Sequence, residues 1–264
     1  MRANSFYSCK VADDDNGQFF LNELKKTGLE TNLSKKLYQG KTGQCMVLVT
    51  PDAERTMNTH LGITETFSEF EIDWDSLSNS ELLYVEGYLV TSETGRSAAI
   101  KALNFAKNNN IKTALTFSDP SMPTYFKDGL LEMIGDQKLD LLFCNKDELL
   151  VFTNESELDD ALKKILNYTN QVVMTNGADG ALYCSSNKMI KVDAPIVKPI
   201  DTVGAGDLFA GAFLYAHSFK YDIEQSLKFS CACASKVVTK YGARLSNEDI
   251  LKIKEDFLGN KEGI

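Results

Sequence analysis

The sequence predicts a doubly wound α/β fold, a mostly parallel sheet flanked by helices, with a small β-sheet lid. Three observations predict it. Apolar runs of strand length alternate with amphipathic stretches, one β-rich pair of runs breaks that rhythm, and the last third is helical almost throughout. Repeated strand–helix–strand units imply parallel strands buried under helices on both faces.

The β-rich pair comes first. Residues 43–50 and 53–61 are joined by Thr50-Pro51-Asp52-Ala53, a credible turn, and read as an antiparallel hairpin outside the main sheet. Ligands of doubly wound sheets bind at the carboxyl ends of the parallel strands, so residues 40–62 are a candidate lid, with a decorative edge hairpin as the plain alternative. Residues 82–85, 113–117, 140–143 and 172–174 follow as short buried strands, separated by helices predicted over 93–108, 123–134 and 157–168. Helical patterns then cover 205–217, 223–239 and 247–257. No long Pro/Gly/Ser linker, internal repeat or low-complexity tract divides the chain, so residues 1–264 are expected to form one domain carrying the lid segment.

Composition fits a globular protein: 43% of the 264 residues are hydrophobic and 25% are charged. The net charge of −9 argues against nucleic-acid binding, which needs a basic face to release counterions. A small anionic ligand is still compatible, because local amides and cations can hold it. No apolar run approaches the roughly 18 residues that span a bilayer, and residues 1–5 lack a signal-peptide core, so a cytoplasmic location and no membrane partner are expected. Cys9, Cys45, Cys144, Cys184, Cys231 and Cys233 form no C-x-x-C pair and read as buried reduced thiols rather than disulfides or zinc ligands. His60 and His217 are too few for a histidine-rich metal site and read as structural or surface residues.

The chemistry concentrates in Asp201-Thr202-Val203-Gly204-Ala205-Gly206-Asp207-Leu208-Phe209, a Gly-rich turn that becomes a helix. Glycine lets backbone approach a ligand closely, and a helix start offers unpaired amides to an anion. Gly204, Ala205, Gly206 and Asp207 therefore form a candidate cradle for charge developing on a transferred phosphoryl group. The Asp207 carboxylate, in the first helical turn, can accept a hydroxyl proton as that oxygen attacks phosphorus; alone, it would read as an aspartate stabilising a helix dipole. No G-x-x-x-x-G-K-[ST] loop exists, and Phe209 stands where G-x-G-x-x-G needs its third glycine, which disfavours a Rossmann oxidoreductase.

Residues 201–214 resemble the second signature of the PfkB/ribokinase carbohydrate-kinase family at every constrained position. Asn145-Lys146-Asp147-Glu148 resembles that family's N-x-x-E motif, and Thr175-Asn176-Gly177-Ala178-Asp179-Gly180 its T-x-G-x-x-G nucleotide loop. Residues 49–59 and Gly242-Ala243-Arg244 look most like the adenosine-kinase-like branch. The resemblance spans essentially the whole chain and implies a ribokinase-like kinase that uses ATP and Mg²⁺.

It implies Asp207 as catalytic base and the Gly204, Ala205 and Gly206 amides as anion hole. Asn145 and Glu148 would organise Mg²⁺, chiefly through water; by themselves they read as a strand-end cap and a helix start. Thr175, Gly177 and Gly180 would line the nucleotide groove, although alone they could be a β-turn. Asp201 and Thr202 would lie beside the phosphates, where many relatives also build a monovalent-cation (K⁺) site from backbone carbonyls. Cys231 stands where many sugar-kinase relatives have a polar residue near adenine. Glu86, at a strand's carboxyl end, matches a position that often faces the acceptor; a purely structural role stays open beside it.

Relatives begin with a strand, an acceptor-binding aspartate and a Gly-Gly hinge before the segment resembling residues 5–14. This chain starts almost at that segment, so the amino-terminal part of the usual fold is expected to be missing, as in a shortened form of a longer protein rather than a natural short one. The leading functional expectation is phosphorylation of the hydroxymethyl group of an adenosine-like ribonucleoside. A kinase for a free or phosphorylated sugar such as ribose or fructose is the second, and a non-catalytic nucleotide-binding protein the third. The assembly is expected to be a monomer or a homodimer.

Overall fold

The computed structural model describes residues 3–34, 38–51, 53 and 55–259. The chain opens with β1 (Phe6–Tyr7), α1 (Asp15–Thr27) and β2 (Glu30–Thr31), the two strands pairing in parallel. Asp14 caps α1 by accepting the Gly17 amide, and Gly28 ends it in the left-handed region at φ 75°. β3 (Gln44–Val49) and β4 (Arg55–His60) form the predicted antiparallel hairpin, a sheet of its own apart from the main one. Asp52 of the predicted turn lies outside the described residues.

The strand–helix rhythm follows. It runs through α2 (Trp74–Ser78), β5 (Leu82–Glu86), α3 (Glu93–Asn108), β6 (Lys112–Thr116), α4 (Ser121–Tyr125), α5 (Lys127–Ile134), β7 (Leu141–Asn145), α6 (Lys146–Thr153), α7 (Leu158–Ile165) and β8 (Gln171–Thr175). β9 (Ala181–Ser185) and β10 (Met189–Val192) complete the main sheet, and α8 (Ala205–Ser218), α9 (Ile223–Val237) and α10 (Asn247–Leu258) close the described chain.

Among the described residues the main sheet has the order β10-β9-β8-β7-β6-β5. β5 to β8 run parallel, whereas β9 pairs antiparallel with both neighbours. Residue alternation divides each parallel strand between two cores. Leu115, Leu142, Cys144, Val172 and Met174 pack with Leu103, Leu130, Met133, Phe152 and Ile165 from α3, α5, α6 and α7. Ala114, Leu141, Phe143 and Val173 face the opposite layer, where Phe209 and Phe213 of α8 and Leu227 of α9 cover them. Each buried Leu or Phe contributes roughly 1.5–3 kcal/mol, so a one-residue slip of a central strand would exchange both cores at once.

Four expectations are corrected. The helix expected over 123–134 is two helices, broken at Phe126 (φ −125°, ψ 25°), whose ring packs against the first core. The helix expected to reach residue 168 ends at Ile165, and the one expected to reach 239 ends at Val237. The thiols are all free, but Cys45 is exposed on the hairpin and Cys9 is half-buried. No helix among the described residues is long and apolar enough to cross a membrane.

Candidate active site

The parallel strands end at a common rim. Register places Glu86 of β5 opposite Thr116 of β6, and Asn145 of β7 opposite Thr175 of β8. In a doubly wound sheet this rim is where ligands bind.

The Gly-rich turn is fixed from behind. Asp201 is buried, and its two carboxylate oxygens accept the amides of Val203 and Gly242, each at 2.9 Å. The Ile200 amide adds a 2.7 Å bond to the Val238 carbonyl. Gly204 sits at φ 76°, and a Cβ there would stand 2.5 Å from the Cβ of Ala243. Glycine is required here both by the backbone angle and by the close approach of the 238–243 loop.

Beyond Gly204 the surroundings open. A Cβ on Gly206 would meet nothing within 4 Å. α1, α3, α6, α9 and α10 have side-chain caps from Asp14, Ser92, Asn145, Asp222 and Ser246, whereas α8, like α4, α5 and α7, has none and starts at Gly204. The Ala205 amide, expected in the anion hole, instead donates to the Thr202 carbonyl at 3.3 Å, so among the first-turn amides those of Gly206 and Asp207 are available to an anion, with the helix dipole adding to the attraction. Asp207 lies in that turn, is exposed, and makes no side-chain hydrogen bond or ion pair among the described residues. It is not spent on capping.

Glu86 belongs to the same place. Burial raises its pKa, and the Asp207 charge raises it further, against the lowering effect of the Ser118 and Tyr84 hydroxyls. Ser118 Oγ donates to Glu86 Oε2 at 2.9 Å and accepts the Gly87 amide at 2.9 Å, with its own backbone at φ 70°. Burial raises the Tyr84 pKa, with the charges of Glu86 and Asp207 adding to it, and the exposed Tyr7 lies within reach of the same two charges. Ser118, Tyr84 and Tyr7 are site neighbours that sequence reasoning missed. A Ser-Asp pair directly after an apolar strand was the available signal for the first and the period of two from Tyr84 to Glu86 for the second; Tyr7 gave none.

Asn145 and Glu148 form a reciprocal capping box. Glu148 accepts from the Asn145 amide at 2.9 Å and from its Nδ2 at 2.8 Å, and donates its own amide to Asn145 Oδ1 at 2.8 Å. The helix-cap reading and the metal reading therefore fall on one pair. Burial pushes the Glu148 carboxyl up to about 7, opposed by the Asn145 amide and reinforced by Asp119 and Asp147. A buried carboxyl with acidic neighbours is a group that a divalent cation would ionise, so the donor set fits Mg²⁺ held mainly through water.

The loop after β8 closes by the Asn176 amide bonding to the Gly180 carbonyl at 2.8 Å. Gly177 (φ 54°) is open to a ligand, whereas a Cβ on Gly180 (φ 90°) would stand 2.0 Å from the Val192 carbonyl. Packing beneath β10 accounts for Gly180. Cys231 lies in the second core, its thiol pushed up to about 12 by burial and then by Asp193. His217 stacks on Phe213 with centroids 5.8 Å apart, and burial lowers its pKa.

A doubly wound sheet whose rim brings an uncapped Gly-rich helix start beside a free carboxylate defines a phosphotransferase of ribokinase-like fold. The chain belongs to the pfkB family of carbohydrate kinases, whose sequence profile matches residues 1–250. It is 25% identical over 243 residues to 5-dehydro-2-deoxygluconokinase of Bacillus subtilis (strain 168), covering 89% of this chain and 75% of that protein. The crystal structure of adenosine kinase from Sinorhizobium meliloti superposes with a TM-score of 0.90 at 27% identity, over 96% of this chain and 78% of that one. A putative ribokinase II from E. coli, solved in complex with ATP and Mg²⁺, shares the fold with a TM-score of 0.84 at 21% identity, over 96% and 82%.

Proposed function

We propose that this kinase transfers the γ-phosphoryl group of ATP to the hydroxymethyl group of an adenosine-like ribonucleoside. The observation that carries the reading is Asp207, a carboxylate without a side-chain partner among the described residues, in the first turn of a helix with no side-chain cap behind an open Gly206. The acceptor oxygen forms a bond to the γ-phosphorus as the bond from that phosphorus to the β-bridging oxygen breaks, and the hydroxyl proton passes to Asp207. The amides of Gly204 and Gly206 face the charge that develops on the phosphoryl oxygens, while the Ala205 amide, bonded to the Thr202 carbonyl, holds the turn. Asn145 and Glu148 would hold Mg²⁺ through water, and the cation neutralises the triphosphate when bound. Asp201 fixes the cradle, Thr175 and Gly177 border the nucleotide, and Glu86 with Ser118 receives acceptor hydroxyls. The 40–62 segment acts as a lid. The fold shared with the relative solved with ATP and Mg²⁺ supports this nucleotide, and the likeness to adenosine kinase supports a nucleoside acceptor.

A second reading, a sugar-type acceptor, is favoured by the likeness to 5-dehydro-2-deoxygluconokinase. ADP release measured with ATP and Mg²⁺ across adenosine, other ribonucleosides, ribose, fructose and 5-dehydro-2-deoxygluconate separates the two. The proposal expects the highest kcat/KM for adenosine. A sugar as the best substrate would establish the second reading, and ATP binding without transfer to any acceptor would overturn both.

A further inference from the structure

The β3–β4 hairpin is bound at its two ends more than along its length. Its strands pair from Gln44↔His60 to Val49↔Arg55, and Met46, Leu48 and Met57 remain 60%, 53% and 41% exposed. An isolated two-stranded ribbon with so little packing is marginal in water. The root, however, is pinned: Asp14 accepts the Thr42 amide at 2.9 Å and the Thr42 hydroxyl at 2.5 Å, and Ile63 donates its amide to Lys41 at 2.9 Å.

At the tip, Ala53 is only 3% exposed and sits at φ 66°, its amide bonded to the Thr50 carbonyl at 2.9 Å. Its carbonyl accepts Thr202 Oγ1 at 3.2 Å, a bond between residues 149 apart in sequence. Thr202 directly follows Asp201, whose carboxylate is bonded to Val203 and Gly242. The contact therefore joins a lightly packed ribbon to the firmest part of the Gly-rich turn.

We infer that Thr202 is a positioning residue that latches the hairpin tip to the phosphate turn, so that lid closure and the order of the anion cradle are coupled through this hydroxyl. The inference rests on the lid and cradle assignments of the proposed function. With the root held by several bonds and the tip docked beside the cradle, the ribbon pivots at residues 41–42 and 62–63 and releases at residue 53.

Thr202→Val keeps the side-chain shape and removes the hydroxyl, and Thr202→Ser restores it. Amide hydrogen exchange of the nucleotide-free full chain is the first readout, because it requires no turnover and so tests the latch separately from the kinase reading. The expected result for Thr202→Val is exchange about 2- to 12-fold faster over residues 44–60, the range that one hydrogen bond supports, with β6 to β8 unchanged and Thr202→Ser close to the parent. The second readout is kinetic: kcat with the best acceptor falls by a similar factor in the valine variant and recovers in the serine variant. Unchanged exchange over 44–60 in Thr202→Val would overturn the latch, including the case in which only the KM for ATP rises, since that outcome makes Thr202 a simple nucleotide contact. Failure of Thr202→Ser to restore slow exchange would overturn it as well.

Discussion

Gly242 donates its amide to Asp201 Oδ2 at 2.9 Å, tying the loop after α9 to the turn that starts α8. Because the other oxygen of Asp201 takes the Val203 amide, one buried carboxylate spans both segments. Asp201→Asn replaces one acceptor with a donor and leaves a buried N–H facing an N–H. A loss of about 1–3 kcal/mol in urea denaturation is expected, together with a fall in kcat. Stability equal to the parent's would mean that the loop is held by other contacts.

The two glycines of the cradle separate conformational need from ligand space. Gly204→Ala must place a Cβ at φ 76° and 2.5 Å from that of Ala243, so at least about 1–2 kcal/mol of stability should be lost. Gly206→Ala meets nothing within 4 Å and improves helix propensity by up to about 1 kcal/mol, so its melting temperature should hold or rise. Its kcat/KM should nevertheless fall on the order of 10-fold or more, because in the proposed mechanism the methyl would enter the space of the transferred group. Full activity in a stable Gly206→Ala variant would count against the cradle.

The features legible in the sequence are those encoded within a few residues. Parallel strands show as apolar runs because both faces are buried, and residues 201–214 carry turn, glycines and helix start in one stretch. Ala181–Ser185 is as apolar as β7, so composition alone does not reveal that it runs antiparallel. Ser118 at φ 70° reflects a turn conformation that no local pattern specifies, whereas the approach of Tyr84 to Glu86 follows from the period of two along β5. The contact of Thr202 with Ala53 depends on the whole fold bringing residues 149 apart together.

Asp207→Asn tests the proposed base directly. The amide keeps the size of the side chain but cannot take the proton, so kcat should drop by about 10²- to 10⁴-fold, with ATP affinity by calorimetry nearly unchanged. Near-normal turnover would remove Asp207 from the chemistry.

Glu148 gives stability a pH dependence of defined sign. Its folded-state pKa, about 7, lies above the ordinary glutamate value of 4.5, so the native state retains a proton that the unfolded chain has lost. The stabilisation is fully present below about 4.5 and is lost as pH rises through 7, amounting to about 3 kcal/mol. In EDTA, chemical denaturation should show this decline for the parent and a flatter profile for Glu148→Gln. Added Mg²⁺ favours the ionised carboxyl and should stabilise the parent more at pH 8 than at pH 5.5. A Mg²⁺ effect equal at both pH values would exclude Glu148 from its site.

Glu86 provides a final prediction, on the acceptor side. Burial and the Asp207 charge hold its carboxyl above the ordinary range, while the hydroxyls of Ser118 and Tyr84 pull it down. An ionised carboxylate accepts hydroxyl hydrogen bonds more strongly than the neutral acid, so in the proposed acceptor-binding role of Glu86 the acceptor KM should rise as pH falls through its elevated pKa, with kcat less affected. Ser118→Ala deletes the 2.9 Å donor to Oε2 and should move that acidic limb to higher pH. Glu86→Gln abolishes the titration, so its acceptor KM should be high and flat with pH. The two variants thus differ in shape as well as size: one displaces the limb and the other removes it. An acidic limb in Glu86→Gln at the parental pH would assign the titration to another group and leave Glu86 a structural support for the Ser118 turn.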